Sequence, residues 1–446
     1  MGRQINVSEI VDAQPLGLRV GLIAGLCFLA TTADGYGLLG ASLAAPGIIR
    51  DFHVSRAIIA PLFSIALFGM LLGALASGYL GDRYGRKRGL VVSLAIVALT
   101  SLACAAAQSF EQLVWIRFVM GLGVGGLLPH VTALMSEYMP RKVRGALTTY
   151  AFMGITVGGA LVGVLSAEYF HSDWRTLFLV GGLLPLAVTP LAWLLLPESL
   201  KFLTLRPERW DELRGHLKKF SPDTVIGPDD VFVLTESTTR GSIATVFEGR
   251  RKWITPLLWL SFLCVMLVNF FINSWIVLVL LDIGYSPARA AAVASLYHVG
   301  GILGGLLMGV ALDLGGPVFL VLFALLGCAS AAVISVPDLS QALVAFLVGC
   351  VGFSVLGAQV GMSAIAGLIY PTAARSQGAG FAHAVGRIGA IMGPLIAGWQ
   401  IAEKGNFFVL FLVPAIPLAV AALAFFFITW IWLGKPLGHR LASRSN

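Results

Sequence analysis

Residues Gly78-Tyr79-Leu80-Gly81-Asp82-Arg83-Tyr84-Gly85-Arg86-Lys87-Arg88 close one apolar run and open the next. Upstream, 57–80 is apolar over a length that fits one crossing of a bilayer, and 89–108 is apolar again downstream. A crossing takes about 20 mostly apolar residues, and they must be helical because a lipid-facing backbone has to satisfy its own hydrogen bonds. The stretch therefore reads as a tight basic turn between two membrane helices. Working outward, the same alternation gives apolar runs at 18–48, 113–138, 146–169, 176–196, 253–281, 289–312, 318–336, 342–369, 378–401 and 407–433. The pattern predicts an all-α membrane protein with twelve transmembrane helices.

Composition leads to the same class. The 446 residues are 58% apolar and only 12% charged. A soluble chain of this length has too little polar side chain to cover its surface at that ratio, and a bilayer removes the requirement. The net charge of +8 raises nucleic-acid binding as an alternative. The basic residues, however, fall in short clusters between apolar runs, which is how topology signals look, so no nucleic-acid partner is expected. Cys27, Cys104, Cys264, Cys328 and Cys350 all lie inside apolar runs, without metal-ligand spacing or a disulfide frame. They read as small packing residues, and no metal or cofactor is expected. The first 18 residues are polar and mixed, without the features of a cleavable leader, so the first apolar run should remain as an anchor.

The one long polar segment, 200–252, divides the chain into a six-span half at 1–199 and a second at 253–446. The termini and even-numbered loops hold 23 Lys and Arg. The odd-numbered loops hold five: Arg50, Arg56, Arg175, Arg289 and Lys404. Arg117 and Arg387 lie inside spans and complete the 30. This asymmetry places both termini and the central loop in the cytoplasm.

The second half repeats the first at a single ungapped offset of 231 positions. Asp51 falls on Asp282, Ser55 on Ser286, and Gly69, Gly73 and Gly78 on Gly300, Gly304 and Gly309. Asp82 and Gly85 fall on Asp313 and Gly316, Gly121 and Gly126 on Gly352 and Gly357, and Pro140 and Arg144 on Pro371 and Arg375. Glycine matches arise by chance in a chain with 52 of them; the Asp, Pro and Arg matches do not. Parallel six-span repeats with a site at their interface near the midplane describe a rocking transporter.

The opening stretch resembles the signature loop between spans 2 and 3 of the major facilitator superfamily, and Gly309-Val310-Ala311-Leu312-Asp313-Leu314-Gly315-Gly316 is a worn copy of it. Arg117-Phe118-Val119-Met120-Gly121-Leu122-Gly123 is similar to the superfamily's span-4 Arg motif, and Pro197-Glu198-Ser199 to its span-6 ending. Three further stretches resemble the aromatic acid:H+ symporter family. They are Asp34-Gly35-Tyr36; Gly125-Gly126-Leu127-Leu128-Pro129 leading to Ser136-Glu137-Tyr138 and Arg144-Gly145; and Tyr370-Pro371 leading through Arg375 to Gly386-Arg387-Ile388-Gly389 and Gly393-Pro394. The resemblance implies the major facilitator fold, two pseudo-symmetric six-helix bundles, and proton-coupled uptake of an aromatic acid. There is one departure: many members carry a second acid three residues after the first in span 1, where this chain has Gly37. Span 5 also lacks the Gly-Pro pair usual in drug–proton antiporters.

Asp34 stands near the middle of span 1, where an ionised carboxylate costs about 2.5–3.5 kcal/mol on insertion scales. A carboxylate that takes up and releases H+ is one answer to that cost; a permanently paired structural acid is the other. Arg117 in span 4 is the natural partner for an acid–Arg proton switch, or else it snorkels to the outer interface. Arg387, mid-span in the second half, offers a planar fork suited to a substrate carboxylate; the alternative is a gate pairing with an acid such as Glu137. Among polar and aromatic groups at span depth, Tyr36, Asn273, His298 and Gln359 are the favoured substrate contacts, drawn from a wider set with Tyr150, Asn269, Trp275, Tyr297 and His383. His298 is alternatively a second proton carrier. Asp82, Arg83, Arg86, Glu137, Arg144, Glu198, Asp313 and Arg375 lie at the inner ends of spans and read either as a gate of breakable ion pairs or as topology signal. Asp82 is also placed to cap the start of span 11.

The expectation is a secondary symporter, working as a monomer in the inner membrane, whose partners are a small organic acid, protons and the lipid bilayer. Its rivals are a sugar or other metabolite symporter, an efflux antiporter, and a membrane enzyme or sensor. No nucleophile–base arrangement or ATP-binding loop supports an enzyme.

Overall fold

The computed structural model describes residues 3–168, 173–220, 226–227, 230–233, 243–370, 374–402 and 407–433. Strand β1 (Gln4–Asn6) and helix α1 (Val7–Ala13) precede six long helices. These are α2 (Leu18–Phe52), α3 (Ala60–Tyr84), α4 (Arg86–Ala105), α5 (Phe110–Tyr138), α6 (Arg144–Glu168) and α7 (Trp174–Leu195). Two short helices, α8 (Leu200–Thr204) and α9 (Trp210–Phe220), and strand β2 (Val231–Val233) follow. Six more long helices end the chain: α10 (Arg251–Asp282), α11 (Pro287–Gly315), α12 (Val318–Ile334), α13 (Gln341–Ile369), α14 (Arg375–Ala402) and α15 (Phe407–Leu433). They fall on the twelve apolar runs. Among the described residues eleven helices are long and apolar enough to cross a membrane, and α12, with 17 residues, is the short one. At 1.5 Å per residue it reaches about 25 Å, the low end of what spans a bilayer.

Sequence dictates the helix starts on the odd-loop side. Ser109, Ser286 and Ser340 each accept a hydrogen bond from a backbone N–H in the first turn of α5, α11 and α13, satisfying donors that a helix otherwise leaves unpaired. Asp173 does the same for α7, accepting from Arg175 N and Thr176 N. The Thr176 hydroxyl also donates to its carboxylate and holds that group below its ordinary pKa.

The chain forms two compact units. One comprises Met1–Phe52, Ile65–Val162 and Ser172–Thr238, the other His53–Ser64, Gly163–His171 and Thr239–Asn446. In the first, α4 packs on α5 and α7, and α2 on α5 and α7; in the second, α12 packs on α13 and α15, and α10 on α13 and α15. The offset of 231 is thus a repeat of packing as well as of letters. A methyl group added at Gly69 would meet Phe118 O, and at Gly73, Leu122 O; at Gly300 it would meet Gly349 O, and at Gly304, Phe353 O. Gly121 lies on Ala66 O and Gly352 on Tyr297 O; Gly158 lies on Thr32 O and Gly389 on Leu263 O. Every one of these partners is also 231 positions from its counterpart. Without a Cβ the backbones touch, which is how membrane helices gain dispersion energy where lipid removes the hydrophobic drive.

The polar central segment, read as loop, carries α8, α9 and β2. Gln4–Asn6 pairs in parallel with Val231–Val233. Ile5, Val7, Ile10 and Val11 bury against a core that includes Phe202, Leu203, Leu213, Leu217 and Phe232. Gln14 Nε2 donates to Tyr138 O at 2.6 Å, Arg141 N donates to Asp12 Oδ1 at 2.8 Å, and Arg19 donates to Lys219 O. The amino terminus is therefore strapped to the end of α5 and to α9, giving the first unit a small cap outside the spans.

Candidate functional site

In the first unit, Asp34 and Tyr36 sit buried on α2 where that helix is pressed against α6. The contact is as close as helices allow, because a Cβ at Gly35 would overlap Ile155 O and one at Gly158 would meet Thr32 O. Asp34 is 6% exposed. Tyr36 donates its hydroxyl to Leu177 O at 3.3 Å, and its ring lies over Gly181. Arg117, on α5, is 5% exposed. Its Nη1 lies 3.4 Å from Gly37 O and 3.5 Å from Met120 Sδ, and the guanidinium stands over the Phe178 ring at 5.9 Å. Its Nε has no hydrogen-bond partner, and no carboxylate lies within ion-pairing distance of Arg117 among the described residues. Arg117 thus meets the helical turn that carries Asp34 through a backbone carbonyl, at the position where a second acid is missing.

In the second unit four buried side chains form one chain of hydrogen bonds. Tyr297 Oη donates to Asn269 Oδ1 at 2.9 Å. Asn273 Nδ2 donates to Asn269 Oδ1 at 2.8 Å and to Asn269 O at 2.9 Å. Asn273 Oδ1 faces His298 Nε2 at 3.0 Å. Asn269 and Asn273 stand four residues apart on one face of α10; Tyr297 and His298 come from α11. Two of the favoured substrate contacts, Asn273 and His298, are therefore brought together. Asn269 and Tyr297 belong with them, and the four-residue spacing of the asparagines was the signal that could have promoted them.

Gln359 and Arg387 lie elsewhere in this unit. Gln359 is half-buried on α13, and its Oε1 accepts no hydrogen bond. Arg387 is half-buried on α14, between Gly386 and Gly389, which is in backbone contact with Leu263. His383, one turn earlier, meets the Phe262 ring edge-on at 4.8 Å. Trp275 is buried and donates to Pro394 O at 3.1 Å.

At the even-loop end of the first unit, Asp82, 73% exposed at its side chain, pairs with Arg86 one turn on. Arg83 donates to Tyr79 Oη at 3.1 Å, and Arg206 donates to Arg83 O at 2.6 Å. Gly85 takes φ +107°, a conformation that suits glycine, and a Cβ there would strike the Glu198 carboxylate. Glu198 is buried and accepts from Lys87 N at 3.0 Å and Ser199 N at 2.9 Å, placing an anion at the first turn of α4. Glu137 accepts from Ser199 Oγ at 2.6 Å and from Lys201 N at 3.1 Å. Arg144 binds Met139 O at 3.0 Å and Asp12 Oδ1 at 3.1 Å. The opening stretch of sequence is therefore bolted to Pro197-Glu198-Ser199. The side chains of Asp313 and Arg375 lie outside the described residues, as does Pro371.

Twelve apolar helices built on an internal repeat, with ionisable and amide side chains buried inside them, define a multi-pass membrane transporter. The model of the Major Facilitator Superfamily matches residues 24–357 and 258–445. The gallate transporter of Pseudomonas putida is 34% identical over 94% of both chains. The 4-hydroxybenzoate transporter PcaK of Pseudomonas aeruginosa is 34% identical over 94% of this chain and 95% of its own. Among solved structures, a bacterial homolog to human lysosomal transporter Spinster, in an inward-facing and unoccupied conformation, superposes with a TM-score of 0.68 at 18% identity, covering 94% of this chain and 98% of that one. The chain belongs to the Major Facilitator Superfamily, and its relatives are transporters, not enzymes.

Proposed function

We propose that the chain is a proton-coupled symporter of the inner membrane, with both termini cytoplasmic, that works as a monomer and imports a hydroxylated aromatic carboxylate. Six-helix halves at 1–199 and 253–446, joined by 200–252, are its moving parts. The observation that carries the reading is Asp34, buried at bilayer depth in a chain one-third identical to transporters of gallate and 4-hydroxybenzoate. An anionic cargo and an ionised Asp34 are each expensive inside the membrane. Protonating Asp34 removes one charge, and pairing the cargo carboxylate with the Arg387 guanidinium covers the other. Coupling the two lets the loaded carrier cross with little exposed charge. Arg117, buried near the Asp34 turn, favours the ionised acid whenever they approach and so assists proton release.

The test is uptake of labelled 4-hydroxybenzoate and gallate into proteoliposomes with an imposed pH gradient. The wild-type protein should accumulate label only with the gradient, acid outside. Asp34→Asn should lose accumulation yet still exchange internal for external substrate, because that half-reaction needs no net proton movement. Gradient-driven accumulation at the wild-type level by this variant would remove Asp34 from the mechanism.

A further inference from the structure

The hydrogen-bond chain on α10 and α11 fixes the state of His298. Both hydrogen bonds from Asn273 Nδ2 end on Asn269, one of them on its backbone carbonyl, which can only accept. The Asn273 amide is thereby locked with Nδ2 toward Asn269 and Oδ1 toward His298. Oδ1 has no proton to give, so His298 Nε2 must carry the hydrogen of the 3.0 Å contact. The neutral imidazole then has its lone pair at Nδ1. That atom is buried, without a hydrogen-bond partner among the described residues, in a side chain 2% exposed. A buried acceptor left unsatisfied is unfavourable, and a native fold seldom keeps one without a use for it.

The packing of the repeat says the network is not there for the fold. At the equivalent positions of the first half, 231 residues earlier, stand Leu38 for Asn269, Ser42 for Asn273, Ala66 for Tyr297 and Leu67 for His298. The same helix contacts are nonetheless made: Gly121 lies against Ala66 O as Gly352 lies against Tyr297 O. A hydrogen-bonded chain of amides, phenol and imidazole is therefore not required at this place in the architecture, where the first half has three apolar side chains and one serine, and the full polar set belongs to one half alone. The Gly352 contact also fixes the backbone of the residue beside His298, so the ring is mounted rigidly.

We propose that His298 is the specificity residue for the ring hydroxyl of the cargo, presenting Nδ1 as a preset hydrogen-bond acceptor that a phenolic O–H satisfies. This rests on the aromatic-acid reading above and adds the group that is recognised. A carboxylate, having no proton to donate, is the wrong partner for Nδ1; a hydroxyl donor is the right one. The Asn269–Asn273 pair acts by positioning, holding the tautomer, and Tyr297 anchors the far end of the chain.

The experiment measures inhibition of labelled-substrate uptake in proteoliposomes by 4-hydroxybenzoate, 4-methoxybenzoate and benzoate. The methoxy compound keeps ring, carboxylate and oxygen but lacks the donor. Wild-type protein should bind 4-hydroxybenzoate about ten- to a hundredfold more tightly than 4-methoxybenzoate, the size of one buried hydrogen bond lost with its partner left unpaired. Equal inhibition by the two would overturn the proposal without any variant. His298→Gln keeps an amide N–H near the Nε2 position and loses the acceptor at Nδ1, so its hydroxy-to-methoxy ratio should fall towards one. His298→Asn keeps an acceptor near the Nδ1 position and should retain most of the selectivity. A folded His298→Gln protein with the wild-type ratio would also overturn it. If wild-type protein takes up no aromatic acid at all, the functional reading fails instead, and the two failures are told apart by benzoate transport.

Discussion

At the scale of single residues, Arg117 is the group with most at stake. A guanidinium cannot shed its proton, so burial must be offset by partners. Here they are the Phe178 ring at 5.9 Å, a carbonyl at 3.4 Å and a thioether at 3.5 Å, the last two at the far edge of hydrogen bonding. Gly37 explains the shortage, since the turn of α2 that faces Arg117 has no side chain there. A Cβ on Gly37 would meet only the Met120 methyl, at 2.9 Å, the free end of a flexible side chain. Gly37→Asp is therefore expected to fold and to hand Arg117 a carboxylate, stabilising the protein by about 1–3 kcal/mol, as charged hydrogen bonds do. The measurement is the thermal midpoint in detergent, which should rise. An unchanged or lower midpoint would mean that Arg117 is already compensated. That Asp34 and Arg117 are buried inside spans was legible from charge at span depth alone. What Arg117 touches was not, because its direction depends on where α5 rotates against α2.

At the scale of elements, glycine spacing is what sets the helices so close. Gly352 on α13 would drive a methyl group to 1.9 Å from Tyr297 O, against backbone that cannot turn aside. Gly367, four turns on in the same helix, faces open space. Gly352→Ala should cost about 1–3 kcal/mol or more by overpacking, whereas Gly367→Ala should be neutral or gain up to about 1 kcal/mol from helix propensity. Thermal midpoints of the two variants, side by side, separate packing from propensity; equal midpoints would show that the helices do not touch here. The element boundaries themselves were legible, because twelve apolar runs bounded by Ser, Gly, Pro and basic residues leave few alternatives. The strap of β1, α1, α9 and β2 was not. Its pieces are short and polar, and each is held by the others rather than by its own periodicity. Asn269 and Asn273 fell between the two cases: visible as a four-residue pair, they gained meaning only once α11 laid Tyr297 and His298 against them.

At the scale of the molecule, duplication and its exceptions divide the labour. The offset of 231 carries over the glycines that pack helices, yet Asp34 falls on Val265, Arg117 on Val348 and Arg387 on Thr156. Charges that merely supported the architecture would be needed in both copies. These are found in one, the asymmetry on which the proposed division rests: proton coupling in the first half and carboxylate binding in the second. Lysine and arginine outside the spans follow a different rule, set by insertion: 23 on the side of the termini against five on the other. That bias is the basis of the proposed orientation, with the strapped amino terminus, the central segment and the Asp82–Arg86 turn on the cytoplasmic side. Gln108 and Lys142, both exposed, flank α5 at its opposite ends. In intact cells, Gln108→Cys should react with a membrane-impermeant maleimide and Lys142→Cys should not, until the membrane is permeabilised. The native cysteines, buried or half-buried, set a low background. The reverse pattern would invert the protein, and with it the direction in which a proton gradient could drive its cargo.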